Sequence, residues 1–159
     1  MATVNPDDIT IEVLEPAAGA DDAVLEAFAR LIPLLSAGAP SPDRDRVERV
    51  LRDPANTVFA ACARDARPRI LGLLTLVRIE LATGTEARIE DVVVDDAARG
   101  LGLGRALVRA GLAAAAEQGA LRVDLTSAPR RVAARRLYRS LGFEQRETGV
   151  FRHRLDGYR

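Results

Sequence analysis

The stretch EDVVVDDAARGLGLGRALV, residues 90–108, decides how this chain folds. Consecutive valines read as a strand, the two aspartates after them as a turn, and from Leu103 the apolar spacing becomes helical. Between turn and helix stand Arg99 and then Gly100, Gly102 and Gly104 on alternate positions. Glycine costs backbone entropy where a helix must begin. Three of them there imply that something has to come close to the main chain.

Working outward, residues 9–15 (ITIEVLE) alternate as a half-buried strand does. Residues 19–36 predict a helix with Val24, Phe28, Leu31 and Leu35 on one face, Asp21 and Asp22 at its start, and Pro33 to kink or end it. A loop leads to a second helix over 43–53, closed by Pro54. Strands follow over 57–64 and 69–80, joined by the short turn 65–68 as an antiparallel hairpin, and then over 87–95. The helix from Leu103 places Leu103, Leu107, Ala110 and Ala114 on one face, with Gly119 as its stop. A strand over 121–127, a helix over 130–141 with Pro129 before it and Gly142 after it, and two last strands over 143–147 and 149–155 complete the chain. The strand–helix–strand unit at 87–127 requires a parallel pair, because a crossover returns the chain in the same direction. The fold class is therefore α+β: a mixed, mostly antiparallel sheet flanked by helices, with one parallel crossover. No repeat or linker divides residues 1–159, which read as one domain.

The charge balance narrows the function. Lys plus Arg and Asp plus Glu are 23 each, without the basic excess of a general nucleic-acid binder. Cys62 is the only cysteine, so no internal disulfide forms, and a cytoplasmic setting is expected. No apolar run approaches a membrane span, and the first ten residues lack the pattern of a signal peptide. One cysteine and one histidine, His153, predict no zinc site. His153 reads as structural and Cys62 as a small apolar core residue.

Backbone N–H groups entering a helix have no partner inside it, and the helix dipole adds positive potential, so such a loop receives anions. A nucleotide-hydrolase loop needs Lys and Ser/Thr after its last glycine, where this chain has Arg105 and Ala106. A dinucleotide fingerprint needs glycine at the sixth position, and counting from Gly100 or Gly102 reaches Arg105 or Leu107. A pyrophosphate cradle of the form Arg/Gln-x-x-Gly-x-Gly/Ala fits throughout residues 99–104. The bland alternative is a glycine-rich turn without a ligand.

With RRVAARRLYRSLGF, residues 130–143, as a second anchor, the sequence resembles the GNAT superfamily of acyl-CoA-dependent N-acyltransferases from about residue 9 to 155. The resemblance implies acetyl-CoA as co-substrate and no metal. It implies pyrophosphate binding by Arg99, Gly100, Leu101, Gly102, Leu103, Gly104 and Arg105. It implies pairing of the coenzyme's pantetheine arm along Val92, Val93 and Val94, and Tyr138 near the thioester sulfur. The chain departs from many members at Arg131, where they carry asparagine. The expected reaction moves an acetyl group to a primary amine of a small molecule by direct attack. Other readings are a non-catalytic acyl-CoA sensor, a longer acyl group, or a protein N-terminus as acceptor. The resemblance also allows a homodimer.

Direct attack needs a base and an acid. Glu90 shares the ideal strand face of Val92 and Val94 and is the expected base. Asp91 is expected on the opposite face, and a water chain is the remaining alternative. Tyr138 is the expected donor to the departing thiolate. The acceptor is expected to meet residues 33–46 and the final hairpin.

Overall fold

The computed structural model describes residues 8–15, 19–35, 40–64 and 69–155. The expected turn at 65–68, the first seven residues and residues 36–39 lie outside these. The chain order is β1 (Ile9–Val13), α1 (Asp22–Leu31), α2 (Arg44–Arg52), β2 (Asn56–Ala63), β3 (Arg69–Leu81), β4 (Gly84–Val94), α3 (Leu103–Glu117), β5 (Val123–Asp124) and α4 (Val132–Ser140). Short 3₁₀ turns occupy Ile32–Leu34 and Asp96–Ala98.

The strands form one sheet in the order β1-β2-β3-β4-β5, antiparallel except for the β4–β5 pair. The expected mixed sheet with one parallel crossover is thus the observed architecture. One layer of core, with Leu74, Leu76, Ile89, Leu107 and Val108, lies between the sheet and α3. The other, with Val24, Phe28, Leu31, Val47, Leu73 and Val93, lies under α1 and α2.

Local chemistry explains the helix ends. Asp21 caps α1 by accepting from Val24 N–H at 2.8 Å, and Asp43 caps α2 by accepting from Arg46 N–H at 2.8 Å. Helix α1 stops at Leu31 and tightens to 3₁₀ through Pro33, as proline requires. The buried face of α3 is Leu103, Leu107, Val108, Gly111 and Ala115. This lies one position on from the expected Ala110 and Ala114, which are only partly buried. The reason is Gly111, where a Cβ would stand 3.2 Å from Leu74 Cδ2, so the helix approaches the sheet along that line.

Two expectations fail. Of the strand expected over 121–127, only Val123 and Asp124 pair with β4, opposite Ala87 and Arg88. The chain then leaves β4, and a cleft opens between them. The two final strands do not form either, and residues 143–155 carry no ladder. After α4 the chain is held by the helix instead of running along β5. Phe143 N–H donates to Tyr138 C=O at 3.1 Å, its ring meets Tyr138 edge-on at 5.8 Å, and Arg135 donates to Gln145 Oε1 at 2.5 Å. Val150, Phe151 and Leu155 consequently face solvent. His153, expected to be structural, lies in this exposed segment. Cys62 is half-buried against the α1–α2 layer, and burial, then the Glu12 carboxylate, push its thiol up to about 11.

Gly72 on β3 is where the layers press hardest. An added Cβ would lie 2.9 Å from Val93 O and 3.1 Å from Leu107 Cδ1. Gly72→Ala should therefore destabilise the fold by about 1–3 kcal/mol through overpacking. The check is urea unfolding, with a lower midpoint at unchanged slope.

Candidate active site

The site begins with an irregularity in β4. Leu73 pairs with Val93 and Thr75 with Glu90, so Leu74 alone stands opposite Asp91 and Val92. This is a β-bulge. Asp91 adopts φ 52°, the only positive φ of a non-glycine among the described residues. Aspartate tolerates the left-handed region better than most side chains.

The bulge reverses the strand's parity. Ala87 and Ile89 face α3 before it, and Val92 and Val94 pack on that same layer after it. Cross-strand partners share a face, so Glu90 lies with Thr75, Leu73 and Val93 on the α1–α2 side. The expectation that Glu90 shares a face with Val92 and Val94 is corrected. So is the expectation that Asp91 points away, because Ile89, Glu90, Asp91 and Val92 all line one cleft of about 140 Å³. Leu125, Thr126, Tyr138, Arg131 and Leu35 complete its walls.

The two carboxylates are held differently. Glu90 is ion-paired to Arg88 Nε, and Arg88 also reaches Thr126 Oγ1 at 3.4 Å. Asp91 makes no hydrogen bond or ion pair among the described residues. Its surface is exposed at the cleft mouth, yet enough protein surrounds the carboxyl to raise its pKa. The neighbouring Glu90 charge raises it further, and Arg46 partly offsets both. Tyr138 is buried, and that burial raises its phenol, with the Arg131 guanidinium opposing. Arg131 itself donates through Nη2 to the carbonyl of Leu35, spanning from the start of α4 to the end of α1's turn.

The glycine loop lies beyond the other end of β4. Asp95 shapes its approach: its carboxylate accepts from Ala97 N–H at 2.9 Å and pairs with Arg30, which also donates to Ile70 C=O at 2.7 Å. Gly102 caps α3 at φ 77°, and no side chain caps the helix. The first helical bond runs from Ala106 N–H to Gly102 C=O at 3.1 Å, which leaves the N–H groups of Leu103, Gly104 and Arg105 without helical acceptors. A Cβ on Gly100 or Gly102 would meet nothing within 4 Å, so space for an anion exists there. Gly104 differs, because its Cβ would stand 3.3 Å from Leu137 Cδ2, and it therefore also serves helix packing. Arg99 pairs with Asp96 at 2.5 Å and Arg105 donates to Ser140 Oγ at 2.8 Å. Leu101 is half-buried against the α3 layer.

These features fit an extended acyl-CoA. The β4 edge beyond Arg88 has no strand beside it among the described residues, so its main-chain groups from Ile89 to Val94 can pair an added chain. Ser127 Oγ, next along from the cleft wall, is buried without a hydrogen-bond partner. Leu35 falls in the 33–46 segment expected to meet the acceptor, whereas sequence reasoning missed Ile89, Leu125 and Thr126 and left Arg131 without an assigned role. Only the bulge and the divergence of β5 bring these residues together. Among the described residues, no group of metal-ligating side chains gathers, and no helix is long and apolar enough to cross a membrane.

Asp91 titrates against the fold. Its raised pKa means that the folded state holds the proton more tightly than the unfolded chain. Stability therefore falls as pH rises from the ordinary carboxylate value through the folded one, and the ionised group remains a cost above that. Asp91→Asn should raise Tm at pH 7–8, and the gain should vanish at about pH 2–3, below the ordinary carboxylate value, where the aspartate is protonated in both states. Calorimetric melts across pH check this.

The acetyltransferase (GNAT) family model matches residues 24–143. No curated protein matches in sequence. The fold is similar to an acetyltransferase of Trypanosoma brucei, at 26% identity over 94% of this chain and 99% of that one, with TM-score 0.70. It is also similar to the aminoglycoside acetyltransferase meta-AAC0020 from an uncultured soil metagenomic sample, solved in complex with trehalose, at 22% identity, 94% and 98% coverage and TM-score 0.80. A third similar structure is the aminoglycoside N-acetyltransferase AAC(6')-Iy in complex with CoA, at 18% identity, 92% and 94% coverage and TM-score 0.73.

Proposed function

The chain belongs to the GNAT acetyltransferase family, and from that premise we propose that it moves an acetyl group from acetyl-CoA to a primary amine of a small molecule by direct attack. The observation that carries this reading is the cleft beside the β4 bulge. There an unpaired strand edge, two carboxylates and a buried tyrosine meet. The family match supports reading residues 1–159 as one acyltransferase domain acting without a metal. The lone Cys62 supports a cytoplasmic setting.

Acetyl-CoA supplies the acetyl thioester. The amine enters as an ammonium and leaves as an amide, so the C–N bond forms as the C–S bond breaks. Two protons leave nitrogen; one ends on the thiol sulfur and one reaches solvent. Glu90 was the expected acceptor of the first proton, but its carboxylate is occupied by Arg88. Among the described residues Asp91 has no such partner, and its pKa is raised, so it takes the proton, and the Glu90 charge strengthens it as a base. Tyr138 donates to the leaving thiolate; its burial in the cleft wall keeps the phenol protonated until then. The amides of Gly102, Leu103, Gly104 and Arg105, with Arg99, Gly100 and Leu101 shaping the loop, hold the pyrophosphate. Val92, Val93 and Val94 present the edge along which the pantetheine arm lies.

Asp91→Asn and Tyr138→Phe should each lower kcat by roughly 10²- to 10⁴-fold while acetyl-CoA affinity by calorimetry changes little. Glu90→Gln should lower it less and move the acid limb of kcat/KM to lower pH, because removing the neighbouring charge lowers the Asp91 pKa. A folded Asp91→Asn protein with full turnover would return the role to Glu90 or to a water chain. An acetyl-CoA binder that acetylates no amine in a broad panel would be a sensor.

Gly102→Glu tests the cradle separately. It forces a side chain to φ 77° and sets like charge beside the phosphates. The expected result is a large rise in KM for acetyl-CoA, and unchanged affinity in a folded protein would reject the loop as the site.

A further inference from the structure

We infer that the acceptor is a small zwitterionic amine with the charge pattern of an α-amino acid, seated with its ammonium at Asp91 and its carboxylate at Arg131. The inference rests on the acetyl-transfer reading and adds the acceptor's chemistry to it.

The cleft has opposite charges on its walls. Glu90 is ion-paired to Arg88, whereas Asp91, with Arg46 near but not paired to it, makes no hydrogen bond or ion pair among the described residues, so Asp91 is the carboxylate placed to hold a cation. Arg131 is the cation left to hold an anion. It spends one guanidinium donor on the Leu35 carbonyl, and no carboxylate among the described residues pairs with it. A guanidinium carries five N–H donors, and a carboxylate is the acceptor that suits its fork. A cleft wall with unspent guanidinium donors repels a polycation and favours a ligand that brings its own negative charge.

A polyamine sugar would set further ammonium groups near Arg131. A compact molecule with one amine and one carboxylate satisfies both walls.

The test is thiol release from acetyl-CoA by the full chain, comparing small α-amino acids with the matching amines that lack the carboxylate. The amino acids should lead in kcat/KM by roughly ten- to a hundredfold, the worth of a charged hydrogen bond. Arg131→Met should bring that ratio toward one by raising the KM for the amino acid, and Arg131→Lys should restore part of it. Equal use of both acceptors by the parent protein would overturn the inference. So would a ratio unchanged in Arg131→Met, which leaves the residue as a tie to Leu35, or a rise confined to the KM for acetyl-CoA, which gives the guanidinium to the coenzyme. If no acceptor is consumed, the transferase reading fails by itself. Calorimetry with an N-acetyl amino acid then decides the anion seat, expected to bind more weakly to Arg131→Met and refuted by equal affinity.

Discussion

The candidate site depends on one extra residue in β4. Asp91 stands with Val92 opposite Leu74 alone, and the ladder absorbs it by taking φ of Asp91 to 52°. A bulge bends its strand and increases the local twist. Here it coincides with the place where β5 ceases to pair, just past Arg88. The strand edge is thereby freed at the point where two carboxylates turn toward it. In a regular β4, Glu90 and Asp91 would lie on opposite faces of the sheet.

The bulge also divides labour between neighbouring carboxylates. Glu90 stays in register, shares a face with Thr75 and Val93, and reaches Arg88 two residues back. Asp91 is the inserted residue and makes no hydrogen bond or ion pair among the described residues, with Arg46 acting on it only through its charge. Two adjacent acids thus become an anchored charge and a less constrained one. Backbone geometry contributes to the difference, since Glu90 stays in register with Thr75 while Asp91 is the inserted residue.

Much of this was legible in the sequence, and the failures have a common physical cause. Caps, turns and periodic faces are local, so α1, α2, α3 and the one parallel crossover could be read from Asp21, Asp22, Pro33, Pro54 and the apolar spacing. The glycine loop was legible because Gly100 and Gly102 oppose a helix start. Gly104 was only half legible, since its contact with Leu137 comes from a helix some thirty residues away in sequence. The face of Glu90 was misread because alternation assumes an unbroken strand, and a bulge leaves no mark in EDVVV. The final strands were misread for a different reason. Residues 143–155 alternate weakly, but Phe143 and Gln145 are claimed first by α4. Arg131 acquires meaning only beside Leu35, which lies 96 positions earlier.

Cys62 has a practical consequence of its own. A thiol pushed up to about 11 is almost wholly protonated near neutral pH. The thiolate is the reactive form, and this one is half-covered between β1 and β3. Aromatic disulfide reagents, which colour on meeting coenzyme A, will therefore see the released product against almost no signal from the protein. The same chemistry makes the chain slow to cross-link through sulfur on storage, and a maleimide dye will need an engineered cysteine elsewhere.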